Sequence, residues 1–224
     1  MTVYDKLLQL PFFQGIDHDE LEDIASKIRF DFQKIETGDF LAKENEKCLK
    51  LTLLMEGRIQ AYSYNADHRY SISEEIEAPY AIEPERLFGL QQHLARSYRA
   101  ETTCSLVSLQ KDDVLRLCGQ CLVFELNYLN AISTTAQRAG SIVWKKSPTT
   151  ITRKIANFVA HRCLRPAGFK TLNIRMADLA KAIGESRLNV SHTLRDLQTQ
   201  GIITYQREKI VIPHLEKLLS NSNH

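Results

Sequence analysis

Residues 183–197 read I-G-E-S-R-L-N-V-S-H-T-L-R-D-L, where two arginines, a histidine and two serines alternate with aliphatic residues at helical spacing. At about 100° of rotation per residue, Val190, Leu194 and Leu197 fall within about 60° of one another and form a stripe for burial. Leu188, His192, Arg195 and Thr199 then face outward, with Arg187 and Ser191 on the flanks. Guanidinium, imidazole and hydroxyl groups on one exposed helix face suit hydrogen bonding to base edges in a DNA major groove. Arg187 is the natural bidentate partner of a guanine, and His192 can meet a base acceptor or a phosphate. Leu188 has only methyl groups, which fit against a thymine methyl. Base contacts are therefore expected from Arg187, Leu188, Ser191, His192 and Arg195, and phosphate contacts from Ser186, Arg153, Lys154 and Arg175.

Such a face needs a support that fixes its phase. The preceding M-A-D-L-A-K-A-I-G predicts a shorter helix anchored by Leu179 and Ile183, with Ala180 small where the second helix crosses. Gly184 supplies a turn at positive φ, and Ser186 is a strong N-cap for the second helix. Upstream, T-T-I-T-R-K-I-A-N-F-V-A-H-R-C-L predicts a helix with Ile151, Ile155, Phe158 and Val159 on one face, followed by a short strand at Leu172 to Ile174. Downstream, I-I-T-Y-Q-R-E-K-I-V-I predicts a β-hairpin about Arg207-Glu208. A helix-turn-helix closed by a hairpin is a winged helix. Residues 149–224 hold 12 Lys+Arg against 5 Asp+Glu, whereas residues 1–148 hold 17 against 22. The C-terminal third is thus the basic end, as a binder of phosphate backbones requires.

From Phe30 to about Gln110 the chain runs in short alternating segments, with Gly38 and Gly57 at tight turns, which predicts an antiparallel barrel or jelly roll. Asp17 caps a helix ahead of it, built on Leu21, Ile24 and Ala25. From Cys121 to about Lys146 a long helix is expected. Its seam, Leu122, Leu126, Leu129, Ser133, Ala136, Gly140 and Val143, repeats at alternating spacings of 4 and 3 and suits pairing with a second copy of itself. Ser147-Pro148 ends that helix as a hinge. The fold class is therefore α+β, divided as 1–119 for a β-roll sensing domain, 120–147 for the dimerisation helix and hinge, and 148–224 for the winged helix. Neither a secretory signal nor a membrane-length apolar run is visible, and the five cysteines are odd in number. Free thiols and a cytoplasmic location are expected, with no membrane partner.

The order of helix, short strands, long helix and winged helix, with P-F-F-Q-G-I, L-M-E-G-R-I and A-I-G-E-S-R-L-N-V-S-H-T-L, resembles the Crp/Fnr superfamily of bacterial transcription regulators. The resemblance covers nearly the whole chain. It implies a cyclic-nucleotide-binding-like jelly roll, a homodimer through the long helix, palindromic double-stranded DNA and RNA polymerase as partners, and DNA contacts at Ser186, Arg187 and His192. It also implies an effector pocket from Glu85, Arg96, Ser97, Ala139 and Gly140. Members that bind cyclic AMP hold its phosphate with G-E-L and R-S. Here Pro84 stands in place of the glycine and has no N–H, and Ala139-Gly140 replaces a pair of hydroxyl residues, so an effector other than cyclic AMP is expected. The iron–sulfur branch needs N-terminal cysteines, and the first here is Cys48. Haem, with His68, His93 or a cysteine as ligand, remains an alternative, as does a redox pair at Cys118 and Cys121. The competing reading from another class is a jelly-roll metal enzyme. Such a site wants two or three histidines and a carboxylate on adjacent strands, but residues 30–110 contain only His68 and His93. No catalytic residue or metal set is assigned.

Overall fold

The structure is a computed structural model that describes residues 3–143 and 148–221 of the 224-residue chain. In chain order the elements are α1 (Val3–Leu8), α2 (His18–Lys27), β1 (Asp31–Ile35), β2 (Phe40–Ala42), β3 (Lys50–Glu56), β4 (Arg58–Tyr64), β5 (Ser71–Glu77), β6 (Tyr80–Ile82), a 3-10 turn Pro84–Arg86, β7 (Ser97–Ala100) and β8 (Cys104–Gln110). There follow α3 (Lys111–Gln120), α4 (Leu122–Val143), α5 (Ile151–Ala160), β9 (Lys170–Asn173), α6 (Met176–Ile183), α7 (Arg187–Thr199), β10 (Thr204–Gln206), β11 (Lys209–Ile212) and α8 (Leu215–Asn221). Two compact units result: one runs to Gln60 and resumes at Ile76–Val143, and the other takes Ala61–Glu75 with the chain beyond α4.

The first unit is the expected roll of short antiparallel strands. One sheet runs β1-β8-β3-β6, with Leu53 opposite Val107 at its centre. Leu51 and Leu53 of β3 and Val107 and Leu109 of β8, two apart on each strand and so on one face, lie in one buried core. Gly57, between β3 and β4, has φ of +98°, and a Cβ there would sit 2.7 Å from the Thr103 carbonyl, so only glycine fits this turn. At the N-terminal side, the Asp17 carboxylate accepts the Glu20 N–H at 2.8 Å and starts α2, as its position predicted.

The long helix is held to this roll by aromatic rings. Phe124 packs edge-on against Phe13 at 5.2 Å between ring centroids, and Tyr128 against Phe12 at 5.4 Å. Each such pair contributes about 0.5–1.5 kcal/mol beyond the area it buries. Asn127 Nδ2 adds hydrogen bonds to the Phe12 and Gln14 carbonyls. The helix begins at Leu122, close to expectation. Ahead of it lies α3, which has no side-chain cap at Gln110 and was not anticipated; Val114 and Leu117 give it a buried face. The hinge expected at Ser147-Pro148 has Ser147 outside the described residues.

The second unit departs from the domain boundary drawn at 148, because it is discontinuous in sequence. Residues 71–74 lie antiparallel to β9, with Ile72 opposite Leu172 and Glu74 opposite Lys170. The β9 strand itself starts two residues earlier than the strand expected at Leu172 to Ile174. Ile72 joins Phe158, Leu172, Leu179, Val190 and Leu194 in one buried cluster. Alternation in R-Y-S-I-S-E-E-I shows that one face is buried, but period alone does not say against which core. The strand is pinned by charge as well. Glu74 and Lys170, each 2% exposed, pair at 3.2 Å. The Glu74 carboxylate also accepts the N–H groups of Leu164 and Arg165, while Lys170 Nζ donates to the Ala167 carbonyl. Arg162 stacks on the Phe158 ring at 4.0 Å and donates to the Tyr70 hydroxyl. Removing one partner of such a pair leaves an uncompensated buried charge, so Lys170→Met should destabilise this unit by about 3–5 kcal/mol in urea denaturation. A loss below about 1 kcal/mol, the range of exposed pairs, would show that the pair is solvated.

Candidate nucleic-acid interface

Helix α6 ends where its sequence says it must. Gly184 adopts φ of +66°, and the Glu185 N–H returns to the Ala180 carbonyl at 2.9 Å, closing the last turn. Ser186 then caps α7, its Oγ accepting the Asn189 N–H at 3.1 Å. The hydroxyl proton remains to be donated outward, and the first N–H groups of the helix point the same way, an arrangement suited to a phosphate. Val190, Leu194 and Leu197 are buried. Arg187, Leu188, His192 and Arg195 are exposed, Leu188 to 67%, and Ser191 is half-buried at the edge of the face. Gln198 Oε1 accepts the Tyr205 N–H and ties the helix to β10. The β10–β11 hairpin turns at Arg207-Glu208, with Glu208 at φ of +61°.

Two side chains of α7 have roles that spacing did not show. Thr193 Oγ1 donates to the Asn189 carbonyl, so its hydroxyl is satisfied within the helix rather than in the core. Asn189 is exposed beside Leu188, and an amide there is a natural reader of adenine, absent from the expected contact set. The expected phosphate contacts differ in their freedom. Lys154 Nζ is 2.6 Å from Glu185 Oε1, each side chain three-quarters or more buried, so it braces the turn between α6 and α7. Arg175 precedes α6 and is exposed, with Glu208 3.7 Å away. Arg153 sits half-buried in the first turn of α5, its N–H donated to the capping Thr150 hydroxyl.

In the first unit, Glu85 lies half-buried in the Pro84–Arg86 turn. The Arg96 guanidinium approaches Glu83 at 3.8 Å, the Ser97 hydroxyl accepts the Glu44 N–H, and Ala139 and Gly140 are exposed on α4. Glu83 is the buried carboxylate of this loop, and nothing in the spacing singled it out from Glu85. Cys118, in the last turn of α3, is half-buried and Cys121 is buried at the junction with α4; burial pushes both thiols above their usual range, away from the thiolate that redox chemistry needs. His68 and His93 are both exposed and belong to different units. Among the described residues no three His, Cys, Asp or Glu side chains gather as a metal site, and no helix is long and apolar enough to cross a membrane.

Residues 153–220 match the family model described as the Crp-like helix-turn-helix domain. No curated protein matches the chain. Among solved structures, the catabolite activator protein of Thermus thermophilus shares the fold at a TM-score of 0.52 and 16% identity, over 95% of this chain and 99% of that one. A protein described as a transcriptional regulator of the crp/fnr family from Eubacterium rectale matches at 0.51 and 17%, over 96% and 99%. The sensor domain of the transcriptional regulator DNR from Pseudomonas aeruginosa matches at 0.51 and 14%, over 65% of this chain and 95% of that one. These likenesses settle the architecture, a cyclic-nucleotide-binding-like roll, a long helix and a winged helix. The chain therefore carries a Crp-like helix-turn-helix domain over residues 153–220, within a fold that it shares with the Thermus catabolite activator protein.

Proposed function

We propose that the chain works as a homodimer joined through α4 and binds an inverted-repeat operator, one α7 in the major groove of each half-site. The observation that carries this reading is the division of α7 into a buried aliphatic stripe and an exposed face of Arg187, Leu188, His192 and Arg195. Bidentate recognition of guanine falls to Arg187, because its guanidinium lies nearest the capped start of the helix. Leu188 offers no acceptor to cytosine N4, which favours a thymine methyl at the neighbouring base pair. Ser191, His192 and Arg195 complete the base contacts, with Ser186, Arg153 and Arg175 toward the phosphates, while Lys154 is engaged by Glu185. RNA polymerase is the further partner that such a regulator requires. The effector, if one binds, is other than cyclic AMP, since Pro84 lacks an N–H and Ala139 and Gly140 offer no hydroxyl.

Dimerisation is supported by what α4 leaves uncovered. Leu122 is 66% exposed and Leu126 and Leu129 are each 50% exposed, on the side of the helix away from Phe124 and Tyr128. The next positions of the seam, Ser133, Ala136 and Gly140, are exposed and small enough for a partner backbone to come close, while the Val143 side chain lies outside the description.

Leu126→Asp should put a charge into that seam and yield monomers in sedimentation velocity; an intact dimer would remove α4 from the interface. For the groove, selection from random DNA should return an inverted repeat with half-sites about 10 to 10.5 bp apart. Arg187→Ala should weaken binding by about 1–3 kcal/mol per half-site and relax preference at one base pair. Selection that gives no repeat, or the same preference with and without Arg187, would take α7 out of the groove.

A further inference from the structure

The loop joining β6 to β7 is folded around one of its own carboxylates. Glu83 is 1% exposed. Its Oε2 accepts the Ala95 N–H at 2.7 Å, and its Oε1 accepts the Tyr98 hydroxyl at 3.0 Å. Two guanidiniums stand just beyond hydrogen-bond range, Arg96 Nη1 at 3.8 Å from Oε1 and Arg86 Nε at 3.8 Å from Oε2. Arg86 Nε is itself buried and makes no hydrogen bond among the described residues. A backbone N–H, a phenol and two guanidiniums converging on one point form a set that receives oxyanions.

The backbone is bent to deliver that carboxylate. Glu83 has φ of 37° and ψ of 56°, the left-handed region that glycine fills without strain. It also precedes Pro84, whose ring disfavours helical conformations in the residue before it. A non-glycine residue persists in such a conformation only where its surroundings over-determine it. Burial pushes the Glu83 carboxyl up from its ordinary range, opposed by the Ala95 N–H, Arg96 and Tyr98; burial and Glu83 raise the Tyr98 phenol and keep it a donor.

We propose that Glu83 is a built-in ligand: its carboxylate fills an oxyanion cradle made by Ala95, Tyr98, Arg86 and Arg96, and holds the β6–β7 loop as an external oxyanion would. The consequence reaches the long helix through one bond, since the Tyr128 hydroxyl donates to the carbonyl of Pro84, the next residue, at 3.0 Å. The assignment is independent of DNA binding.

Glu83→Gly relieves the backbone and empties the cradle, whereas Glu83→Gln keeps it filled by a neutral group. Acetate and inorganic phosphate are titrated into the full chain of each variant and the wild type, without DNA, by calorimetry and thermal unfolding. E83G should bind one or both anions at least about tenfold more tightly than the wild type and melt at higher temperature as the site saturates, while E83Q should behave as the wild type does. If E83G folds only when refolded with acetate or phosphate, and not with chloride of equal ionic strength, the cradle is confirmed. Equal binding by the wild type, a folded E83G without a response, recovery that is indifferent to the anion, no recovery in any of them, or E83Q binding as tightly as E83G would each overturn the proposal.

Discussion

A helix that must bury one stripe of side chains has no freedom left in the face it offers outward, and two helices of this chain use that constraint in the same phase. In α4 the buried positions Phe124 and Tyr128 are four apart, and in α7 so are Val190 and Leu194. Counted from the first of each pair, the residues two before, two after and five after point away from the core. In α4 these are Leu122, Leu126 and Leu129; in α7 they are Leu188, His192 and Arg195, and all six are exposed. Identical geometry therefore presents an apolar row in one unit and a largely polar row in the other. Apolar side chains gain by leaving water against another protein surface, whereas an imidazole and a guanidinium hold donors that phosphates and base edges can take up.

Both units also contain a buried carboxylate, and both manage it alike. A carboxylate taken out of water loses hydration that a single counter-charge does not replace, so main-chain donors must supply the rest. Glu74 receives the N–H groups of Leu164 and Arg165 and the Lys170 ammonium. Glu83 receives the Ala95 N–H and the Tyr98 hydroxyl, with guanidiniums behind. The two differ in what they bind together. Glu74 fastens residues 61–75 to a chain segment about ninety positions away, and its lysine is as fully buried as it is. Glu83 closes a loop on itself, with cations that remain partly open to solvent. The first is a structural weld; the second has the composition of a ligand site.

What could be read in the sequence was what depends on neighbours along the chain. The phase of α7, the turn at Gly184, the caps at Ser186 and Asp17 and the hairpin at Arg207-Glu208 all follow from residues a few positions apart, and the structure has each of them. Helix α3 was not legible because its first turn lacks a capping side chain and its sequence follows β8 without a break. Ile72 was readable as half of a strand, yet its place beside Leu172 is set by a pairing a hundred residues distant. Glu83 was harder still. An acid before a proline reads as a loop residue, and its burial depends on Ala95 and Tyr98, which meet it only when β7 has formed.

The basic balance of the C-terminal third is likewise weaker as an electrostatic footprint than its count of 12 cations against 5 acids implies. Lys170 is paired inside the unit with Glu74, which lies outside that third of the sequence, so a counted cation is neutralised by an acid that was not counted with it. Lys154 is held by Glu185, and Arg162 is stacked on Phe158 with its Nε on Tyr70. Cations fixed in this way release no counterions when DNA arrives, so they add nothing to the salt dependence of binding. On the proposed reading, a larger share of the affinity would then come from short-range contacts along α7. On that reading, Leu188 would supply methyl surface where a charged side chain would carry a hydration shell into the groove, and sequence preference would rest on the few donors beside it.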